Sequence, residues 1–281
     1  MISVLVPTLN ESRNIADCLR SVQWADDITL VDSGSTDDTR ELAKSLGARI
    51  VDFKWNGKFP KKKNWALENV DWRHEWVLIL DADERVTPEL GEEITKVLEN
   101  PQADGYYINR KFMFMGKWIR HCGYYPSWNL RLFRHSLGRY ERLHSGDTGS
   151  GDNEVHEHVV LEGTSAHLTN DMLHFAYPDI QTWVEKHNRY SNWEARVELE
   201  GTGLPAHGIG SELSRRRRLK EWSRKLPFRP TLRFIHSYVL KRGFLDGREG
   251  YAFCRLLRIY ECLILLKKME LSQPRIEKIN H

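Results

Sequence analysis

Cysteine is scarce in this chain of 281 residues. The four present, Cys18, Cys122, Cys254 and Cys262, form no CxxC pair, so neither a zinc site nor a disulfide framework is indicated. No stretch reaches the roughly 18–20 uninterrupted apolar residues that a bilayer-spanning helix needs. Any membrane contact is therefore expected from the surface. The first residues, Ile2-Ser3-Val4-Leu5-Val6, enter a strand pattern at once, without a basic leader followed by an apolar run; no signal peptide and a cytoplasmic location are expected. Internal repeats and low-complexity tracts are absent too, which speaks against a solenoid or a disordered chain.

What is present suits a sizeable core. The chain is 40% hydrophobic and 29% charged, enough for one large α/β domain or for a catalytic domain with a smaller appendage. The net charge of +3 hides an asymmetry. Residues 212–268 carry 16 Lys/Arg against 5 Asp/Glu, and residues 1–211 are net acidic. An acidic first part joined to a basic tail predicts two surfaces with different partners.

Residues 1–100 alternate strand and helix signals. Strands are expected at 2–6, 28–31, 49–53 and 76–80, with helices at about 12–24, from Thr36 to Gly47, around 63–69, and from Pro88 to about 99. Such alternation predicts a mostly parallel sheet with helices on both faces, whose ligands sit at the carboxyl ends of strands. From 105 to 173 aromatic and β-branched residues dominate, and the segments 106–108, 130–133 and 155–161 read as mixed or antiparallel strands extending that sheet. A helix is expected at 178–200, then a Gly/Pro break at 201–210 leading into the basic tail.

Three polar clusters fall at successive strand ends: Thr8, Leu9, Asn10 and Glu11 after the first, Asp32 to Ser35 after the second, and Asp81-Ala82-Asp83-Glu84 after the fourth. Each alone is compatible with an ordinary turn or helix cap. Together they outline a site. Two carboxylates one residue apart suit Mg²⁺ or Mn²⁺, which bind through one or two carboxylates plus phosphate oxygens. Such a cation neutralises the charge that builds on a departing diphosphate. Asp32 could accept from a pyrimidine N–H, while Thr8, Asn10 and Glu11 flank the ribose or base.

The segments Val6-Pro7-Thr8-Leu9-Asn10-Glu11, Val31-Asp32-Ser33-Gly34-Ser35-Thr36-Asp37-Asp38-Thr39 and Leu80-Asp81-Ala82-Asp83-Glu84 resemble those of family-2 glycosyltransferases of the GT-A fold. Lys61-Lys62-Lys63-Asn64-Trp65-Ala66 and Asn129-Leu130-Arg131-Leu132-Phe133-Arg134 extend the likeness over roughly residues 1–200. Val155-His156-Glu157 and Lys186-His187-Asn188-Arg189-Tyr190-Ser191 resemble bacterial lipopolysaccharide core β-1,4-glucosyltransferases and related envelope-polysaccharide enzymes. The resemblance implies a Rossmann-like mixed sheet flanked by helices, a UDP-sugar donor (UDP-glucose), and a hydroxyl of a lipid-linked glycan as acceptor. It also implies that Asp32 contacts the base, Asp81 the ribose side and Asp83 the metal, with Ser35 and Ala82 beside them.

An inverting transfer needs a general base on the acceptor side. Glu157 is the first choice, Glu154 the second and Asp152 the third, since Val155-His156-Glu157 begins a strand after a Gly-rich segment. His174 is a candidate third metal contact, and His156 a possible helper. Lys61 to Lys63 and Arg131 could meet diphosphate oxygens or be solvated charge, and Lys62 and Lys63 are not expected to face one site together, because neighbours on a helix diverge by about 100°. Trp118, Tyr124, Tyr125 and Trp128 could stack on an acceptor or form core.

The expected organisation is a catalytic domain over 1–205, with a nucleotide-binding half (1–100) and an acceptor-binding half (101–205). A basic amphipathic helical segment over 206–281 follows. Its residues 212–268 would dock peripherally on an anionic inner membrane face, with Tyr251 to Leu266 as an interfacial helix; packing on the catalytic domain or on another subunit is the alternative, and a homo-oligomer is possible. No nucleic-acid recognition fold accompanies the basic run, so no nucleic acid is expected. Two rivals are a nucleotidyltransferase, which would show a Gly-rich loop where residues 7–13 have no Gly, and a non-catalytic membrane adaptor.

Overall fold

The computed structural model describes residues 1–142, 157–200 and 228–273. They form two units: residues 1–120, 124–142 and 157–176 make the first, and residues 121–123, 177–200 and 228–273 the second.

The first unit contains β1 (Ser3–Thr8), α1 (Ile15–Arg20), β2 (Asp27–Asp32), α2 (Thr39–Ser45), β3 (Arg49–Asp52), α3 (Lys62–Asn69) and β4 (Trp76–Ile79). After these come β5 (Glu84–Arg85), α4 (Pro88–Glu99), β6 (Gly105–Phe114), β7 (Lys117–Trp118), β8 (Trp128–Arg134), β9 (Gly138–Tyr140), β10 (Val159–Leu161) and β11 (Ser165–His174). The sheet runs β3-β2-β1-β4-β8-β6-β11-β5, with β7 on β6, and β9 pairs separately with β10. The strands β3, β2, β1 and β4 are parallel, while β8 is antiparallel to both of its neighbours. This is the expected mixed, Rossmann-like GT-A arrangement.

Burial explains the pattern. Every residue of β1, β2 and β4 is buried, as expected for parallel strands covered on both faces. Alternate side chains go to opposite layers. Val4, Val6, Leu30 and Leu78 pack with Ile15 and Leu19 of α1 and with Leu90 and Ile94 of α4. Leu5, Val31, Val77 and Ile79 face Ala66 and Leu67 of α3. Pro88 opens α4 with Thr87 Oγ1 accepting from Leu90 N, the expected cap.

Two helix starts differ from expectation. The first helix is shorter than 12–24, and α2 starts at Thr39, three residues past Thr36. The cause is Asp37, whose carboxylate accepts from Ser12 N, Thr39 N and Thr39 Oγ1. Those bonds hold its pKa down at about 2 against the burial that would raise it, and they close the loop before the helix can begin.

The second unit consists of α5 (Ile180–Glu200), α6 (Arg229–Ile235) running into a wider turn at His236–Leu240, a tight turn at Gly243–Asp246, and α7 (Gly247–Ser272). The Glu198 carboxylate joins all three helices, holding Arg229 and Lys268, each at 2.8 Å. Phe253, Cys254, Leu256, Leu257 and Ile264 of α7 are buried. The stretch from Tyr251 to Leu266, expected as an interfacial helix, thus spends one apolar face on its own unit. Among the described residues no helix is long and apolar enough to cross a membrane. The basic run at 215–225 lies outside the described residues.

Candidate active site

The strand order brings the three polar clusters to one edge of the sheet. β1 lies between β2 and β4 with Thr8 opposite Asp32 and Leu5 opposite Ile79, so Thr8, Asp32 and Asp81 end neighbouring parallel strands. The β1–α1 and β2–α2 loops are fastened together: Asn10 N donates to Ser35 Oγ at 2.9 Å, Thr36 N to Asn10 Oδ1 at 2.8 Å, and Glu11 N to Thr39 Oγ1 at 2.8 Å. Asn10 adopts a φ of 56°, a left-handed conformation that Asn tolerates better than most residues.

Asp32 is fully buried and accepts from Thr8 Oγ1, Gly34 N, Ser35 N, Ser35 Oγ and Arg40 Nη1. Burial would raise its pKa, but hydrogen bonds from Ser35, Arg40 and Thr8 outweigh that and hold it low. Its carboxylate oxygens are thus engaged within the chain, and a base N–H would have to displace one of these donors.

Asp81 is held from two sides. Lys63 Nζ lies 2.8 Å from Oδ1 and Arg131 Nη2 2.5 Å from Oδ2. Burial opposes the charge, yet Arg131 and Lys63 keep the carboxyl well below the usual carboxylate range. Arg131, expected at the diphosphate, is buried and stands behind Asp81, also bound to Glu84 at 2.7 Å. Ala82, expected beside the ligand, is packed into the hydrophobic core, because the tight turn from 81 to 84 points its methyl inward.

The lysines correct another expectation. Lys62 Nζ donates to Thr8 O at 2.8 Å, Lys63 reaches Asp81, and Lys61 Nζ donates to Glu157 Oε1 at 2.7 Å. All three are buried. At the first turn of α3 their long stems reach inward from diverging Cα–Cβ directions, so adjacent lysines do meet the same strand-end edge.

Asp83 and His174, the expected metal contacts, come together: Asp83 Oδ1 and His174 Nε2 are 3.7 Å apart and both side chains are partly exposed. The pairing of β11 with β5 sets this, with His174 opposite Glu84 and Phe175 N donating to Asp83 O. An oxygen and an imidazole nitrogen at this separation fit one divalent cation after a small closing movement, since ligands at about 2.1 Å on adjacent positions lie about 3 Å apart. Among the described residues no group of three or more His, Cys, Asp or Glu forms a full protein cage. The pair fits a cation that completes its shell with phosphate oxygens and water.

Glu157 lies in the first unit, buried against Lys61. Glu154, Asp152 and His156 lie outside the described residues. Leu9, Asn10, Glu11, Ser35, Asp81, Asp83 and His174 retain exposure, whereas Thr8, Asp32, Lys61, Arg131 and Glu157 are buried. The first set is the exposed part of this edge, and the second is its buried frame.

Glu84, part of the third polar cluster, has a framing role that the sequence does not assign, and Arg110, which the sequence does not single out, shares it. Glu84 Oε2 accepts from Asp81 N at 3.0 Å, while Glu84 N donates to Asp81 O at 2.8 Å. Its other oxygen binds Arg131 and Arg110 Nη1, the latter at 3.2 Å. The i, i+3 spacing of Asp81 and Glu84 was the available signal. For the acceptor-side aromatics, Tyr125 OH donates to Asp171, Trp118 packs edge-on against Tyr125, and Trp128 is exposed beside His167.

Comparison with known proteins agrees with the fold. The family described as "Glycosyl transferase family 2" matches residues 3–152. The lipopolysaccharide core biosynthesis glycosyltransferase LpsC of Rhizobium meliloti (strain 1021) is 28% identical, over 92% of each chain. The uncharacterized glycosyltransferase RP128 of Rickettsia prowazekii (strain Madrid E) is also 28% identical, over 92% of this chain and 85% of that one. Among solved structures, S. aureus TarS 1-349 in complex with UDP-GlcNAc has a TM-score of 0.51 at 15% identity, over 100% of this chain and 94% of that one.

Proposed function

The chain belongs to glycosyl transferase family 2, and from that premise we propose that it is an inverting transferase moving glucose from UDP-glucose to a hydroxyl of a lipid-linked glycan of the lipopolysaccharide-core kind. The observation that carries this reading is the Asp83–His174 pair at the strand-end edge that also holds Asp81, Asp32 and Thr8. The likeness to LpsC supports the acceptor class. The work site is the cytoplasmic membrane face.

In this reading Asp83 and His174 hold Mg²⁺ or Mn²⁺, which when bound neutralises charge on the departing diphosphate. Asn10, Glu11 and Ser35 line the nucleoside side, with Asp32 exchanging one internal donor for the base N–H. Asp81, fixed by Lys63 and Arg131, presents its exposed edge to the ribose. Glu157 takes the proton of the acceptor hydroxyl as that oxygen attacks the anomeric carbon and UDP leaves. Lys61 occupies one carboxylate oxygen, so proton transfer to Glu157 follows a rearrangement of this buried pair.

The test is a panel of nucleotide-sugars with Mn²⁺, scored for hydrolysis and thermal stabilisation. UDP-glucose is expected to lead in both. Pyrophosphate release from a nucleoside triphosphate would instead indicate a nucleotidyltransferase, and no nucleotide binding at all would indicate an adaptor.

A further inference from the structure

The second unit carries a surface that its own packing does not use. Along α6 and the following turn, Leu232, Ile235 and Val239 recur at helical spacing, all exposed. Leu240 is 69% exposed, and Phe244 and Leu245 are 49% and 55% exposed. Soluble surfaces scatter large apolar side chains singly; a contiguous group of this size marks an interaction site. The group is not loosely held. Tyr238 stacks on Phe234 at 5.2 Å between ring centroids and meets Tyr251 at 5.6 Å and Phe244 at 6.2 Å, so Phe244 is tied to a connected set of rings.

The chain reverses sharply here. Arg242 has φ of 55°, and a Cβ on Gly243 would lie 2.8 Å from both Cys122 Sγ and Ser237 O, so the turn can sit this close only as glycine. It projects Leu240, Phe244 and Leu245 with Lys241 and Arg242 between them and Arg248 just beyond. Among the described residues, no carboxylate lies within ion-pair distance of Lys241, Arg242 or Arg248. Of the two acids between 228 and 258, Asp246 is buried and engaged by His121.

We propose that the tip formed by residues 232–248 inserts into the interface of an anionic lipid bilayer. Leu240, Phe244 and Leu245 enter the acyl boundary, and Lys241, Arg242 and Arg248 meet headgroup phosphates. Exposed apolar side chains ringed by unpaired cations match that medium, with its apolar interior and anionic surface. A protein partner would have to supply both an apolar recess and several carboxylates. The inference deepens the lipid-linked acceptor reading and rests on it for its purpose, but docking is measured without acceptor or donor.

The experiment is flotation of the full chain with vesicles of phosphatidylcholine alone or of equal parts phosphatidylcholine and phosphatidylglycerol. The wild type is expected on the anionic vesicles and to be released by salt. A Leu240→Ser, Phe244→Ser, Leu245→Ser variant is expected to bind them at least about tenfold more weakly, as is a Lys241→Glu, Arg242→Glu variant. Both should keep the wild-type melting temperature and UDP-glucose hydrolysis, so that failure of docking and failure of the catalytic reading are separately visible. Undiminished vesicle binding by both variants would overturn the proposal. So would loss of binding only when Arg215 to Arg218 are replaced, or a dimer in solution that the serine variant dissociates while vesicle binding is nil.

Discussion

Lys61 Nζ donates to Glu157 Oε1 at 2.7 Å, with both side chains no more than 3% exposed. The bond spans 96 residues in sequence and ties the start of α3 to the segment before β10. Removing one member of a buried pair leaves the other charge without that partner, at about 3–5 kcal/mol. Glu157→Gln keeps the shape and removes the proton acceptor. It is expected to lower kcat by about 10²- to 10⁴-fold and leave UDP affinity unchanged. Both Glu157→Gln and Lys61→Met should lower stability in urea titrations, and Lys61→Met should do so while keeping the proposed base. Full transfer activity in Glu157→Gln would remove that residue as the base.

If Asp83 and His174 hold the cation as proposed, they divide the metal-dependent binding of UDP between them. Asp83→Ala is expected to abolish transfer and the part of UDP affinity that EDTA removes. His174→Ala should weaken that part by about 10- to 100-fold, the worth of one contact of roughly 1.5–3 kcal/mol. Calorimetric titration of UDP with Mn²⁺ and with EDTA reads both effects. Equal affinity in the two solutions for the wild type would take the metal from this site.

The fold and the gathering of the three polar clusters at one sheet edge were legible because their signals are local and agree with one another. Apolar runs ending at Thr8, Asp32 and Asp81 can line one edge only if their strands are parallel and adjacent, and alternation with helices implies that. Side-chain reach was not legible. A helical wheel gives the directions of Lys62 and Lys63 but not how far a lysine stem bends back at a helix start. Nor does D-x-D show that Ala82 is turned into the core, or that Arg110, twenty-six residues past Glu84, meets it across the sheet. In α7, apolar residues at helical spacing fit a lipid surface and a helix pair equally well. Only packing shows that Phe253, Leu257 and Ile264 are buried while Leu240 and Phe244 are exposed.

Glu84 should act on the site through Asp81. It is fully buried, and it closes the 81–84 turn while binding two arginines. Glu84→Gln can still accept from Asp81 N but loses its charge opposite Arg131 and Arg110. The expected cost is about 3 kcal/mol, or roughly 6–12 °C in Tm for a chain of this size. UDP affinity with Mn²⁺ should fall with it, since Asp83 sits within the same turn. A variant with wild-type Tm and wild-type UDP affinity would show that the turn holds without it.

His187 gives the second unit a pH dependence of definite sign. Its ring stacks on Trp183 at 3.6 Å, meets Tyr177, Tyr190 and Tyr260 within 6 Å, and donates from Nδ1 to Trp183 O at 2.8 Å. Burial pushes its pKa down from 6.5 to about 4, with nearby Lys186 adding to the shift and the bond to Trp183 opposing it. The folded state therefore prefers the neutral ring. Its contribution is fully present above pH 6.5 and declines as pH falls from there toward 4, by at most about 3 kcal/mol. Asp37, held at about 2, adds acid sensitivity only below the ordinary Asp pKa of about 3.9, so the two windows separate. Urea midpoints across this range should fall with acid for the wild type and be markedly flatter for His187→Phe, which keeps a stacking ring and cannot protonate. Equal slopes for the two would mean that His187 is not the group that titrates.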